Sequence, residues 1–528
     1  MASTWPLVAR LGQVVPGGAE HADTVPLASS WALWWTADRI PHGLAGLWNA
    51  PIMWPAAGTF AYSEPMPLLG AVAAPVIWLG GSPALAHGIV VLLCLWLNGL
   101  AVRALARRLG AGPLPSLVAG AIGVVLPYVQ LHLGVLTLVP IFPLAWTVHA
   151  LIDLADDPRP RRALLLGVAF ASAYLTCAQH ALFLALAAAP SIALLARRAE
   201  LRRQLAALAI AGAVAAIAVT PFAVAQHAAL ADHHFERSSQ RIRAGAASPA
   251  SYVHAPFEPL VPLPPLPIDH RPDSLFPGLW KLALAIVGFA WAWRRERGRR
   301  AVQFLAALGG AALLISMAPR LVPLWDAARA VVPGLDQIRS VYRAAVIVHL
   351  VIAVAAGLGV AAVLAWAGDR RARRGAAVAL SVLSVIELWP RDMRMTAPPD
   401  VVAWAGVDAW IEANVPADAP IVNLPYPDGP SVEALAPAAR QMYLATVHRH
   451  PIANGYSSYW PASYFYVRRA FADALARRPG AHPGATGVQF AVVDLRRLAA
   501  RGQMVPPGWR QRYRDPRLPV AVYQIDGD

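Results

Sequence analysis

Apolar runs recur from about residue 66 to residue 390, and most approach the roughly 20 residues that carry a helix across the hydrocarbon core of a bilayer. The runs 84–106, 113–130, 134–153, 163–178, 181–196, 205–224, 276–293, 301–318, 343–367 and 375–390 are predicted spans, about ten in all. Pro127, Pro140 and Pro143 fall within two of them and predict kinks whose freed carbonyls neighbouring helices can satisfy. The run 66–81 (MPLLGAVAAPVIWLGG) is short and broken by Pro75. With tryptophans and tyrosines around it, it reads as an interfacial or re-entrant helix. After Pro390 the pattern changes. Residues 399–414, 435–447 and 463–477 have helical periodicity, 420–424 and 487–495 read as strands, and 519–525 can pair with the second of them.

Charge fixes a direction for the spans. Arginines gather after every second one: Arg103, Arg107 and Arg108; Arg159, Arg161 and Arg162; Arg197, Arg198, Arg202 and Arg203; Arg294, Arg295, Arg297, Arg299 and Arg300; Arg370, Arg371, Arg373 and Arg374. The turns at 131–133 and 178–181 hold none. Basic loops face the cytoplasm, so residues 1–83, the loops at about 225–275 and 319–342, and everything after about 391 are expected outside. The N-terminal MASTWPLVARLGQVVPGG lacks the basic start and full apolar core of a signal peptide. It reads as the last turns of a span whose beginning lies upstream, so a first span is expected to be missing.

Composition agrees: 57% hydrophobic and 14% charged residues over 528 positions, against about 25% charged in soluble domains. The net charge of +15 is almost wholly arginine, Lys281 being the one lysine, and it lies in the loops, so nucleic acid is not the implied partner. Cys94 and Cys177 sit in apolar runs and make no disulfide framework. The expected fold class is an α-helical polytopic membrane protein with a small C-terminal α/β extracytoplasmic domain. Its divisions are an outer segment 1–83 with interfacial helices, a membrane domain 84–397 and an outer domain 398–528. The loop 225–275 has a polar half and a proline-rich half, and an ordered, non-helical covering is expected there, a flexible loop being the alternative.

No metal-ligand spacing, phosphate-binding glycine loop or nucleophile elbow occurs; the adjacent His233 and His234 lack a third ligand at helical spacing and read as a loop pair. Scattered polar residues at the outer face must therefore carry any chemistry. Asp23, with Glu20 in reserve, precedes an aromatic helix and is either a general base for an acceptor hydroxyl or that helix's N-cap. Arg237, Arg241, Arg243, Arg339 and Arg343 lie on the side that disfavours arginine. Arg339 and Arg343, four apart, would share one helix face and suit a lipid phosphate; pairing with Asp336 or snorkelling is the alternative. Gln130, His132, Gln179, His180 and Glu64 are polar groups in or beside apolar runs, lining a site or facing headgroups.

The ordered stretches TWPLVARLGQVVPGGAEHAD, SSWALWWTADRI, LWNAPIMWPAAGTFAYSEPMPLLG, LHLGVLTLVPIFPLAW, AYLTCAQHALFLAL, SLFPGLW, PGLDQIRSVYRAAV and YLATVHRHPIANGYSSYWPASY resemble the GT-C glycosyltransferase superfamily, in its branch with a C-terminal extracytoplasmic domain. The resemblance covers nearly the whole chain. It implies transfer of a sugar from a polyprenyl-phosphate donor, within reach of membrane lipid, to an unknown acceptor at the outer face of a bacterial plasma membrane. It also implies an acidic residue in the first outer loop as base or metal-assisted acceptor binder, which Asp23 matches, although AEHAD replaces the family's usual Gly-Asp, Asp-Asp or Asp-Glu form. A divalent metal ion is the one cofactor it leaves room for. Arg339 and Arg343 would neutralise the leaving phosphate, and Tyr456, Tyr459 and Trp460 would stack on sugar faces. The rival reading is a non-catalytic scaffold or a lipid- or polymer-handling protein of the same architecture. A transporter fits less well, for want of mid-membrane charges or paired broken helices.

Overall fold

The computed structural model describes every residue except 1, 21, 232–234, 236, 262–265, 297, 322–324, 333, 368–370, 392, 428, 430 and 526–528. The His233–His234 pair lies outside the described residues. In chain order the elements are β1 (Val15–Gly18), α1 (Thr24–Arg39), α2 (Pro67–Trp78), α3 (Pro83–Arg108), α4 (Pro113–Val124), α5 (Pro127–Leu131), α6 (Phe142–Asp156), α7 (Pro160–Thr176), α8 (Ala178–Ser191), α9 (Leu201–Ala231), α10 (Ser239–Ala244), α11 (Leu279–Trp293), α12 (Arg299–Leu321), α13 (Trp325–Val331), α14 (Ala345–Ala367) and α15 (Arg371–Ile386). There follow β2 (Arg394–Thr396), α16 (Val401–Asn414), β3 (Ile421–Leu424), α17 (Ala436–His448), α18 (Ala462–Leu475), β4 (Phe490–Asp494), α19 (Leu495–Ala500), β5 (Arg510–Arg514) and β6 (Val520–Gln524). Among the described residues, seven helical segments are long and apolar enough to cross a membrane, and three shorter apolar helices accompany them. The chain divides into two compact units: 1–8, 90–221 and 236–394 form the first; 9–89, 222–235 and 395–528 form the second.

In the first unit α14 is the central helix, 83% of its most apolar window being buried. It meets α11 through two glycines. A Cβ on Gly288 would stand 2.0 Å from the Ala355 carbonyl oxygen, and one on Gly359 would stand 2.0 Å from that of Leu284. Small residues let two apolar helices approach backbone to backbone, which replaces the hydrophobic drive that lipid cannot supply. The expected kinks are breaks. The second predicted span is α4 then α5, parted before Pro127, and the third is a 3-10 turn at Leu136–Leu138 followed, past Pro140, by α6. Each break is repaired by a side-chain amide. Gln130 Nε2 donates to the Val124 carbonyl at 2.8 Å. Asn98 Nδ2 donates to Val139 O at 2.8 Å while its Oδ1 accepts from the amides of Ile141 and Phe142. At the end of α15, Glu387 accepts from the first amides of α11 and stands 3.7 Å from Lys281 Nζ, both side chains being buried.

Two expectations about the loops are corrected. The helix predicted to end at 224 runs to Ala231, and the loop after it is not wholly non-helical: its polar half holds α10 and a 3-10 turn follows at Pro249–Tyr252, while the described residues of the proline-rich half hold no helix. Ser238 caps α10 by accepting from Arg241 N, a local bond that composition alone does not announce.

The second unit joins residues expected to be separate. The segment 1–83 is not a unit of its own: Met53 N donates to Asn454 O, Trp54 N to Ile452 O, and Ile452 N to Pro51 O. Four strands form one sheet in the order β3-β4-β6-β5, β3 parallel to β4 and the rest antiparallel, with Val492 opposite Val522. Helix α16 covers it through Val407, Ile411, Val415, Phe490 and Val522. Asn454 extends the pairing by side chain, bonding both N and O of Asn423. The strand missed by periodicity is β5, RQRYR, exposed along most of its length. A charged edge strand resists pairing with other chains and for the same reason carries no apolar alternation to read.

Candidate functional site

The first unit gathers polar groups around the start of α8. Cys177 is extended (φ −156°, ψ 102°) and parts α7 from α8. The first turn of α8 therefore begins afresh inside an apolar bundle, with leading amides that lack intrahelical acceptors and a positive dipole end. That turn carries Gln179 and His180. Facing it is the 3-10 turn Val341–Ala344 ahead of α14, with Tyr342 and Arg343. Arg343 Nη1 donates to Gln179 Oε1 at 3.1 Å. Its Nε is buried and has no acceptor, and the residue has no ion-pair partner, among the described residues.

Around this arginine the aromatic and imidazole side chains interlock. His132 Nδ1 meets the Tyr128 carbonyl at 2.7 Å and its Nε2 meets the Tyr342 hydroxyl at 3.2 Å. A carbonyl can only accept, so Nδ1 carries the proton and Nε2 accepts from Tyr342. His180 Nε2 lies 3.3 Å from the Tyr128 hydroxyl, and its Nδ1 has no partner among the described residues. His349 adds a third imidazole, 5.8 Å from the Tyr128 ring, with Nε2 donating to Leu275 O. One turn further along α8, at about 1.5 Å per residue, Leu184 lines an apolar cavity of about 400 Å³ with Leu151, Phe170, Leu208 and Phe304.

His132, His180 and Arg343, three separate candidates in the sequence, are brought together through Tyr128, Tyr342 and Gln179. The two histidines are 3% and 1% exposed, which overturns the alternative that they face headgroups. Arg339 does not share a helix face with Arg343. Ile338 and Ser340 are extended or irregular, α14 begins only at Ala345, and the Arg339 carbonyl packs where a Cβ on Gly245 would fall, 1.9 Å away. Tyr342 N donates to Gly245 O, so this backbone docks on α10's end instead of coiling. Arg237 belongs to another network, its carbonyl accepting from Arg329, which also bonds Ser239. Sequence reasoning missed Tyr128 and Tyr342 as members of the cluster, and left the Lys281–Glu387 pair unread; a lone lysine in an apolar run was the available signal for the latter.

In the second unit Asp23 occupies the N-cap position of α1 but makes no cap bond with its side chain. Its Oδ2 accepts from Arg440 Nη2 at 2.8 Å and its Oδ1 from the Thr396 hydroxyl at 3.3 Å. Glu20 ends the turn after β1, hydrogen-bonded through its amide to Gly17 O, and Glu64 stands half-buried ahead of Pro65. Tyr456 and Trp460 pack edge to face, 6.2 Å between rings and both half-buried. Tyr459 is buried and stacks one face on Phe235 at 4.7 Å. Among the described residues no group of three histidine, cysteine or carboxylate side chains is placed to hold a metal ion.

No protein-family model matches the chain, and no curated protein matches it. Among solved structures it is similar to the arabinofuranosyltransferase AftD from Mycobacteria, with a TM-score of 0.59 at 16% identity, and to a mutant of AftD, with a TM-score of 0.61 at 17% identity. All of this chain aligns in both cases, and it spans 40% and 41% of those chains, about two fifths of their length. ArnT from Cupriavidus metallidurans bound to undecaprenyl phosphate aligns over 98% of this chain and 95% of its own at 12% identity, with a TM-score of 0.47. The alignment of the whole, mostly helical chain with AftD at this low identity speaks to the fold alone: the chain has a GT-C-like fold.

Proposed function

We propose that the chain is a GT-C-type glycosyltransferase of a bacterial plasma membrane, with about ten spans and with residues 1–83 and 398–528 outside. It would move a sugar from a polyprenyl-phosphate donor to an acceptor hydroxyl. The observation that carries this reading is Arg343, a guanidinium held among neutral partners in an apolar bundle, with a buried Nε that no described residue accepts from. A cation so placed costs several kcal/mol in desolvation, and a phosphate arriving beside the first turn of α8 would offset that cost through charge-assisted bonds. The apolar cavity along α8 suits the donor's isoprenoid chain. The arginine parity of the loops supports the sidedness.

In this reading the acceptor oxygen attacks the anomeric carbon as its bond to the phosphate oxygen breaks. The electron pair stays on the phosphate, and Arg343 stabilises the charge that grows there. Asp23 is the proposed base for the acceptor's proton, with Glu20 in reserve, and Glu64, Tyr456 and Trp460 are proposed to bind the sugar. His132 and His180 act by holding Tyr342 and Tyr128 beside Arg343. Among the described residues none form a metal site, and no step is routed through one.

A second reading has an observation of its own. Asp23 is engaged by Arg440 and Thr396, as a structural carboxylate would be, which favours a lipid-handling protein without chemistry. The deciding experiment reconstitutes the full chain in lipid nanodiscs with a panel of polyprenyl-phosphate pentoses and hexoses. Transfer by the wild type, reduced about a hundredfold or more in Arg343→Gln, supports the enzyme. Wild-type lipid-phosphate binding without transfer supports the second reading, and binding indifferent to Arg343→Gln overturns both.

A further inference from the structure

One side chain at the proposed phosphate site has no task in the reaction as written. Gln179 supplies the acceptor that Arg343 Nη1 uses, at 3.1 Å, from the second residue of α8. The surroundings are otherwise set to fix the arginine from its backbone side. Tyr342 N is tied to Gly245 O, the Tyr342 hydroxyl is tied to His132, and His132 is tied to the Tyr128 carbonyl. The guanidinium itself meets the Tyr342 side chain and the amide of Gln179, the latter at the helix end where anions are favoured.

We propose that Gln179 is a placeholder: its amide oxygen occupies the position of a ligand phosphate oxygen, holds the guanidinium extended while the site is empty, and is displaced when the phosphate binds. This rests on the reading of Arg343 as the phosphate-binding residue. The residue type suits the task. A neutral amide gives the cation one hydrogen bond and yields to an anion, which offers a stronger, charge-assisted one. A carboxylate at the same place would form a part-buried ion pair, costly to break because it would strand a charge. The buried Nδ1 of His180, on the next residue and without a partner among the described residues, provides a second polar atom to meet the incoming oxygens once the amide swings away. The ligand chemistry is a phosphate monoester or diester, carried either by an isoprenoid lipid or by a free small anion.

The test uses the full chain in nanodiscs and measures binding of undecaprenyl phosphate and, in a separate arm, of inorganic phosphate. The variants are Arg343→Gln, Gln179→Glu and Gln179→Leu. Gln179→Glu should weaken binding about tenfold or more without lowering thermal stability, since it makes an ion pair. Gln179→Leu should tighten it about threefold, since it removes the competing acceptor. Both shifts seen with lipid alone assign the site to a lipid phosphate; both seen with either probe assign it to phosphate as such; each result supports the placeholder. If Gln179→Glu does not fold, Gln179→Leu decides by the sign of its effect. Loss of binding in Arg343→Gln together with weakened binding in Gln179→Leu overturns the placeholder and leaves Arg343 its role. Unchanged binding in Arg343→Gln overturns the phosphate reading and this inference with it.

Discussion

At the scale of single residues, the two charged groups singled out face opposite energetic situations. Arg343 is half-buried, its Nε enclosed beside an amide and aromatic rings, so its charge is costly to hold there. Asp23 is partly exposed and paired with Arg440, so its charge is cheap and its pair is worth little, at most about 1 kcal/mol. Replacing Asp23 by Asn keeps the shape and one acceptor oxygen. We expect Asp23→Asn to unfold within about 1 kcal/mol of the wild type while losing the transfer reaction. Thermal unfolding and transfer assays on the same preparation check it, and full activity would return Asp23 to a purely structural role. The residue types that matter were visible early, because a histidine or arginine inside an apolar run stands out. Their partners were not: Asp23 meets Arg440 at 417 positions' remove and Arg343 meets Gln179 at 164, distances over which periodicity carries no information.

At the scale of elements, the prolines of the second and third spans were legible and what they do was half legible. Pro127 and Pro140 announce a disturbance, but whether a helix bends or stops depends on which neighbour takes up the freed backbone groups. Here it stops, and Asn98 from α3 takes up three of them, at Val139, Ile141 and Phe142. Asn98 is fully buried and sits in the apolar stretch of α3 between His87 and Arg103, a signal present in the sequence but silent about its partner. Asn98→Leu would leave one carbonyl and two amides without acceptors or donors in an environment that has no water. At about 1 kcal/mol or more for each unsatisfied group, the expected loss is roughly 3 kcal/mol. It should appear as a lowered unfolding temperature in detergent and as faster hydrogen exchange at Ile141 and Phe142. An unchanged temperature would mean that the break is held by packing alone. The contrasting case is β5, whose RQRYR pattern is that of an exposed edge and gives no sign of a strand until β6 is placed beside it.

At the scale of the whole molecule, the first unit is anchored by apolar contact and reciprocal glycines, whereas the second depends on a sheet core of modest size covered by α16. That makes the stability of the second unit sensitive to a single misfit in α16, and Asp408 is one. It is 3% exposed, its Oδ2 finds no partner among the described residues, and burial, with Glu412 adding like charge, pushes its carboxyl up to about 7. The sign follows from proton linkage. Between about pH 4, where the unfolded carboxyl ionises, and about pH 7, where the folded one does, the folded unit holds a proton that the unfolded chain has released. Raising the pH across that window therefore favours unfolding, by as much as roughly 4 kcal/mol at ~1.36 kcal/mol per tenfold change in proton affinity. Below it and above it Asp408 contributes no slope. Asp408→Asn removes the ionisation, so the variant should be the more stable above pH 7, and the fall in stability between pH 4 and 7 should flatten. Hydrogen exchange of residues 401–414 in the intact chain, followed from pH 5 to 8 and corrected for intrinsic rates, reads this unit without requiring it to unfold alone. Equal protection factors for variant and wild type across the range would show that the carboxyl stays ionised in the fold, and that the space around it is wetter than its burial implies.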